Sequence, residues 1–302
     1  MKFGVSTYSL VRSIRSGEMT VTDVIQWAAD NGAEHVEIVP FGFTLFENPE
    51  LTDQVRHKAE DVGVELSNYA ILSNFTQEDD EEYEREIARV MKEVDVAHRL
   101  GVKLMRHDVA WLPTPPNGKG GPAGLFMDDS TVNIARFERE LPRMAAACQR
   151  IADYAANFGI TTSVENHLYY VQASDRVQRL IQTVNRENYK TTLDVGNFMC
   201  VDENSVIGVR KNIKYASMVH LKDFYYRPSY RDPGEGWFRT SNGNFLRGAI
   251  FGHGDVDTWD VLRTIKASGY NGYASIEFEG IEECKMATKI SLDNARRIWN
   301  QC

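Results

Sequence analysis

The sequence predicts an α/β fold, a single (β/α)8 barrel, on three observations. Eight short, apolar runs rich in β-branched residues are spread over 302 residues. Between several of them lie longer stretches whose apolar residues recur every three or four positions, the mark of repeated βα units and a parallel sheet. No linker divides the chain, although two ordinary domains would also suit its length. The eight runs span 2–9, 35–40, 64–71, 102–109, 161–168, 189–196, 216–224 and 273–279. The expectation is one domain over residues 1–302.

Taken in order, the first run, KFGVSTYS, leads to a helical pattern at 20–32, where Thr20 signals an N-cap and Gly32 a stop. At 81–101, Ile87, Met91, Val94 and Leu100 repeat on one face. The pattern at 136–159 behaves alike, with Pro142 expected to kink or delay it. A shorter one at 257–269 precedes the last run. Two stretches break the alternation, 110–130 after the fourth run and 225–256 after the seventh. Long loops without periodicity inside a compact domain are usually functional, and barrel enzymes build their sites on the face where these emerge. Trp111, Phe126, Trp237, Phe238 and Phe245 give both loops packing material, so each is expected to be a lid or wall.

Bulk composition narrows the partners. The chain is 42% hydrophobic and 25% charged, with a formal net charge of −9, which disfavours wrapping a phosphate backbone. Nucleic acid is therefore excluded as an expected partner. Cys148, Cys200, Cys284 and Cys302 show no CxxC spacing, which fits a reducing, cytoplasmic location better than a disulfide framework. The opening MKFGVSTYSL lacks a signal-peptide pattern, and no window approaches 18 consecutive apolar residues, so no membrane span is expected.

Chemistry concentrates at the ends of four consecutive runs: Glu165 in SVENH, Asp194 in TLDVG, His220 in MVHLKD and Glu277 in SIEFE. Strands of a parallel barrel are buried on both faces, where an unpaired carboxylate would cost several kcal/mol. A cation must meet them. Three carboxylates and one imidazole make a hard donor set, suited to one divalent ion: Mn²⁺ first, then Mg²⁺, Co²⁺, Zn²⁺ or Fe²⁺. Such an ion acidifies a C–H beside a carbonyl and stabilises the resulting enediolate, while a carboxylate on each side removes and returns a proton.

These segments, with GHGDVDTWDVL and GYNGYASIEFEG, resemble the sugar phosphate isomerase/epimerase superfamily, the xylose-isomerase-like TIM barrels. That group includes ketose 3-epimerases, hydroxypyruvate isomerase, inosose dehydratase and zinc-dependent AP endonucleases. The resemblance runs over the whole chain and implies that Glu165, Asp194, His220 and Glu277 hold one divalent metal, with Glu165 and Glu277 also moving protons. It implies a small sugar, keto-sugar or inositol derivative as substrate and isomerase or epimerase activity. Pairing into a dimer or tetramer follows only by analogy with barrels of this kind.

The chain departs from these relatives at Asn197, where ketose epimerases carry a histidine three residues after the aspartate. An amide binds a hydroxyl but does no acid/base work. A lyase of the inosose dehydratase or keto-glycoside-eliminating kind is therefore the nearest alternative, and a non-catalytic sugar-binding barrel comes third. The second and third runs end without the extra histidines that an AP endonuclease needs for its three metals.

Further substrate contacts are expected from nearby polar residues. His167 shares a strand face with Glu165, and His107 and Asp108 end the fourth run. Glu37 points into the same mouth if its parity is right. Lys222 shares parity with His220 and is placed to neutralise an oxyanion, and His253 sits in a glycine-rich turn near the ligand. Arg227, Arg231, Arg239 and Arg247 are assigned to solubility.

Overall fold

The computed structural model describes residues 1–111 and 134–302. Its strands are β1 Lys2–Ser6, β2 His35–Ile38, β3 Glu65–Ile71, β4 Leu104–His107, β5 Thr161–Glu165, β6 Tyr189–Asp194, β7 Ala216–Leu221, β8 Asp223–Arg227, β9 Phe238–Arg239, β10 Phe245–Ala249 and β11 Tyr273–Ile276. Eight of them close into a barrel in the order β1, β11, β7, β6, β5, β4, β3, β2. Every neighbouring pair in that ring is parallel. Each of the eight sequence runs thus supplies one barrel strand.

Period-two alternation sorts the strand side chains. Val164, Leu193, Val219 and Ile276 face the helices and join the main apolar core. Their neighbours Glu165, Asp194, His220 and Glu277 take the opposite face. Polar residues continue down that face, where the Ser163 and Thr192 hydroxyls lie 2.8 Å apart.

Helix signals hold in detail. Thr20 caps Val21–Asp30: its hydroxyl accepts from Asp23 N–H at 3.2 Å, and Asp23 accepts from Thr20 N–H at 2.8 Å. In the helix Asp80–Leu100, Ile87, Val94 and Leu100 are buried together with Val90 and Ala97, while Met91 is only partly buried. The helix Ile134–Ala156 continues through Pro142.

The two long loops fare differently. Residues 112–130 of the first, including Phe126, lie outside the described residues. The second is not aperiodic: β8, β10 and β9 form a three-stranded antiparallel sheet in that order. It stands as a wall beyond the end of β7, with Phe224 against Phe238 at 5.6 Å between ring centroids. At Gly248, an added Cβ would lie 2.6 Å from the Glu279 backbone, so glycine permits this close approach. Of the four arginines assigned to solubility, Arg231 is exposed and the other three also stack on rings, Arg227 and Arg247 each 5.4 Å from the Trp237 ring and Arg239 4.4 Å from Phe245.

Asp223 anchors this wall. Its buried carboxylate accepts four backbone N–H groups, from Phe224, Gly252, Gly254 and Val256, at 2.8 to 3.1 Å. Replacing Asp223 by Ala strips a shared acceptor from buried donors and is expected to cost about 3 kcal/mol, read from the urea midpoint. Asp257→Ala, which removes only a helix cap on Asp260 N–H, is expected to cost about 1 kcal/mol.

Candidate metal centre

β5 ends on Glu165 and β6 on Asp194, β7 carries His220, and Glu277 follows β11 directly. Backbone pairing sets Asp194 beside His220 and His220 beside Ser275. The four residues are buried, and one ligand atom from each lies within 4.8 Å of all the others. His220 Nδ1 is 3.5 Å from Glu165 Oε1, 3.9 Å from Asp194 Oδ2 and 3.5 Å from Glu277 Oε2.

Local structure aims each group. Asp194 Oδ1 accepts the N–H groups of Gly196 and Asn197 at 2.8 Å each, which turns Oδ2 toward the cluster. Gly196 is needed there, since a Cβ would sit 2.8 Å from Lys222 O. Asn166, just past the end of β5, clamps the Asp194 backbone, accepting its N–H at 2.9 Å and donating to its carbonyl at 2.8 Å.

Two observations test whether a cation fits. His220 Nδ1 is buried without a hydrogen-bond partner, although such groups rarely go unsatisfied, and Asp194 Oδ2 has only the Lys222 ammonium beside it at 3.2 Å. Burial raises the Asp194 carboxyl, and the charges of Glu277 and Glu165 raise it further, despite Lys222. One ligand atom from each of the four residues faces the others within 4.8 Å, so their donors converge on one point. Oxygen donors with one imidazole suit a hard divalent ion.

Resident cations brace all three carboxylates of the cluster. Arg106 Nε is 2.9 Å from Glu165 Oε2, and its Nη1 is 3.1 Å from Asp108 Oδ2. Burial raises the Glu165 carboxyl, but the guanidinium of Arg106 and the imidazole of His220 outweigh it and hold it at about 2. Lys222 Nζ lies 2.7 Å from Glu277 Oε2 and 3.2 Å from Asp194 Oδ2. Asn197 ties the halves together, donating to Glu165 Oε1 at 3.1 Å and accepting from Lys222 at 3.2 Å. Both ends of its amide are thus occupied.

A cavity of about 220 Å³ opens onto this cluster. Arg106, Glu165, Lys222 and Glu277 line its charged part, and Tyr8, Phe41 and Leu72 its apolar part. His167 also lines it, about 30% exposed, with Nδ1 at 3.4 Å from Asp108 Oδ2. A larger hollow of about 570 Å³ beside Asp202, Tyr226 and Asp257 contains none of the four clustered residues. Its Asp202 already accepts from Asn242 and Asn244, so its polarity is largely used internally.

Four expected contacts, His107, His253, Glu37 and Asn197, do not line this cavity. His107 takes the opposite strand face from Arg106 and Asp108, packed between Phe75 at 5.8 Å and Tyr189 at 6.1 Å, where burial lowers it to about 4. His253 is exposed, and its glycine turn wraps Asp223 rather than the cavity. Glu37 is fully buried against His220 at 2.9 Å rather than facing the cavity. Sequence reasoning missed Arg106, Tyr8 and Glu279. Arg106 has a readable signal, a charge inside the apolar run VKLMRHDV at the same parity as Asp108.

Comparison with known proteins agrees with this architecture. No curated protein sequence matches the chain. Among solved structures, 3-keto-D-glucoside 4-epimerase YcjR from E. coli is 13% identical, covering 98% of this chain and 99% of that one at a TM-score of 0.71. D-psicose 3-epimerase from Clostridium cellulolyticum H10 is 14% identical, covering 99% of each chain at 0.71. The probable 3-DHS dehydratase AsbF from Bacillus anthracis is 16% identical, covering 97% of this chain and 98% of that one at 0.69. At such identities these likenesses show a shared fold. The family model of the xylose isomerase-like TIM barrel matches residues 25–298, and the chain belongs to that family.

Proposed function

We propose that this chain is a single-domain, divalent-metal-dependent enzyme that deprotonates a sugar, keto-sugar or inositol derivative next to a carbonyl, as an isomerase or epimerase. The observation that carries this reading is the pair Glu165 and Glu277. They come from β5 and the end of β11, with β6 and β7 between them in the ring, and each lies 3.5 Å from His220 Nδ1. Two carboxylates flanking one point, each beside a cavity, are what proton removal and return require. A binding barrel needs no such pair.

Glu165, Asp194, His220 and Glu277 would hold the metal, which supplies Lewis-acid polarisation of a carbonyl when bound. Glu165, charged against Arg106, and Glu277, charged against Lys222, are the groups that receive and return the substrate proton. Lys222 brings an ammonium to the cavity wall, placed to meet negative charge developing on a substrate oxygen. The apolar side with Tyr8, Phe41 and Leu72 keeps water from the reacting carbon. Among the hard divalent ions Mn²⁺ stands first. Similarity to two epimerases supports this reading.

One observation favours a lyase as the second reading. His167 lines the cavity and is braced by Asp108, a placement suited to protonating a departing hydroxyl, and similarity to a dehydratase points the same way. Among the described residues, no helix is long and apolar enough to cross a membrane. The absence of disulfides among the four cysteines supports a cytoplasmic location.

Proton NMR in D₂O over a panel of ketoses, keto-inositols and 3-keto-glycosides tests the reaction class. Deuterium wash-in beside the carbonyl without net elimination is the expected result. Loss of water or aglycone would transfer the assignment to a lyase, and no exchange on any member would overturn both.

A further inference from the structure

We propose that Glu37 is the positioning residue of the metal centre: it reaches across the barrel lumen and fixes His220 through its Nε2 proton, aiming Nδ1 at Glu165, Asp194 and Glu277 as the nitrogen that a metal would take. The inference rests on the metal-centre reading above. Glu37 belongs to β2 and His220 to β7, three steps apart around the ring. Their contact therefore crosses the interior and is no part of the strand ladder. Glu37 Oε1 lies 2.9 Å from His220 Nε2, and both side chains are 0% exposed.

A carboxylate oxygen accepts, so the proton in this contact sits on Nε2. The same Oε1 accepts from Asn68 Nδ2 at 2.7 Å, and this second bond from β3 sets the rotation of the Glu37 carboxylate. Nδ1 has no hydrogen-bond partner and lies within 3.9 Å of oxygens from the other three candidate ligands. The order Asn68, Glu37, His220 thus aims Nδ1 at the point where those oxygens converge. A carboxylate behind a ligating imidazole fixes its tautomer and ring orientation and increases its basicity. Glu37 is fully buried and does not line the cavity, so its contact with the centre runs through His220.

A division of labour follows around the ring. β5, β6, β7 and the end of β11 present the donors, whereas β2, β3 and β4 present Glu37, Asn68 and Arg106, which hold those donors in place.

Zn²⁺ titration of chelator-stripped protein by calorimetry, with ¹⁵N NMR of the histidine rings in the Zn²⁺-loaded state, tests the proposal. The loaded wild type should show His220 protonated on Nε2 and metal-bound through Nδ1. Glu37→Leu should weaken Zn²⁺ binding by about 10–100-fold. Glu37→Gln, whose amide oxygen still accepts, should lose less affinity than Glu37→Leu and retain the Nε2–H signal. A purely structural Glu37 would lower the melting temperature without changing Zn²⁺ affinity or the His220 ring shifts. Wild-type affinity in folded Glu37→Leu, or a loaded wild type bound through Nε2, would overturn the positioning role alone. The wild-type spectrum decides this even where Glu37→Leu fails to fold. Failure of the wild type to take up Zn²⁺ would overturn the metal-centre reading itself.

Discussion

Replacing Glu277 by Gln is expected to lower solvent exchange into substrate by about 10²–10⁴-fold, the range for loss of a positioned general base. The amide preserves the shape of the side chain and one oxygen, but it accepts no proton. Lys222, 2.7 Å from Glu277 Oε2 in the native protein, also contacts Asp194 at 3.2 Å and so keeps one anionic partner. Fold and cavity should therefore survive while chemistry fails. Measuring deuterium wash-in alongside ligand affinity separates the readings. A catalyst loses exchange far more than affinity, whereas a sugar-binding barrel shows no exchange even as wild type. Glu165→Gln should behave similarly, with an added stability loss because Arg106 is buried beside it at 2.9 Å.

The second large effect concerns Asp194. Asp194→Asn is expected to leave the metal-free protein folded and to abolish its stabilisation by Mn²⁺ or Zn²⁺. The native carboxyl is raised by burial and then by its acidic neighbours Glu277 and Glu165, so neutralising it relieves repulsion. An asparagine oxygen still accepts from Gly196 and Asn197, the two bonds that shape the turn. What disappears is the anionic oxygen at Oδ2. Wild-type protein at a metal concentration 100 times Kd should gain about 2.7 kcal/mol of stability. At 302 residues, that corresponds to a rise of several degrees in melting temperature. Differential scanning fluorimetry with and without metal checks both proteins; an equal response in Asp194→Asn would remove Asp194 from the centre.

The four clustered residues are legible in sequence because each is a charge or imidazole interrupting an apolar strand pattern, and because the interruptions fall near the ends of successive units. Barrel geometry converts that regularity into convergence. Arg106 obeys the same logic, and parity within VKLMRHDV places it inward with Asp108 while sending His107 toward Phe75 and Tyr189. The part Glu37 plays is not readable locally, since its partner lies 183 residues away and meets it only when the barrel closes. Neither is the antiparallel wall, because β8 pairs with β10 rather than with β9, its neighbour in sequence. Asn197 illustrates the remaining step. Its departure from the epimerase pattern is visible in sequence, but only the fold shows its amide bridging Glu165 and Lys222.

Metal analysis of the purified wild-type chain, calibrated against Asp194→Asn prepared in parallel, tests the centre most directly. About one equivalent of divalent ion per wild-type chain, removable by chelator and restored by Mn²⁺, is expected, with little in Asp194→Asn. A wild type that carries no divalent ion and shows no thermal shift with Mn²⁺, Mg²⁺, Co²⁺, Zn²⁺ or Fe²⁺ would contradict the metal centre.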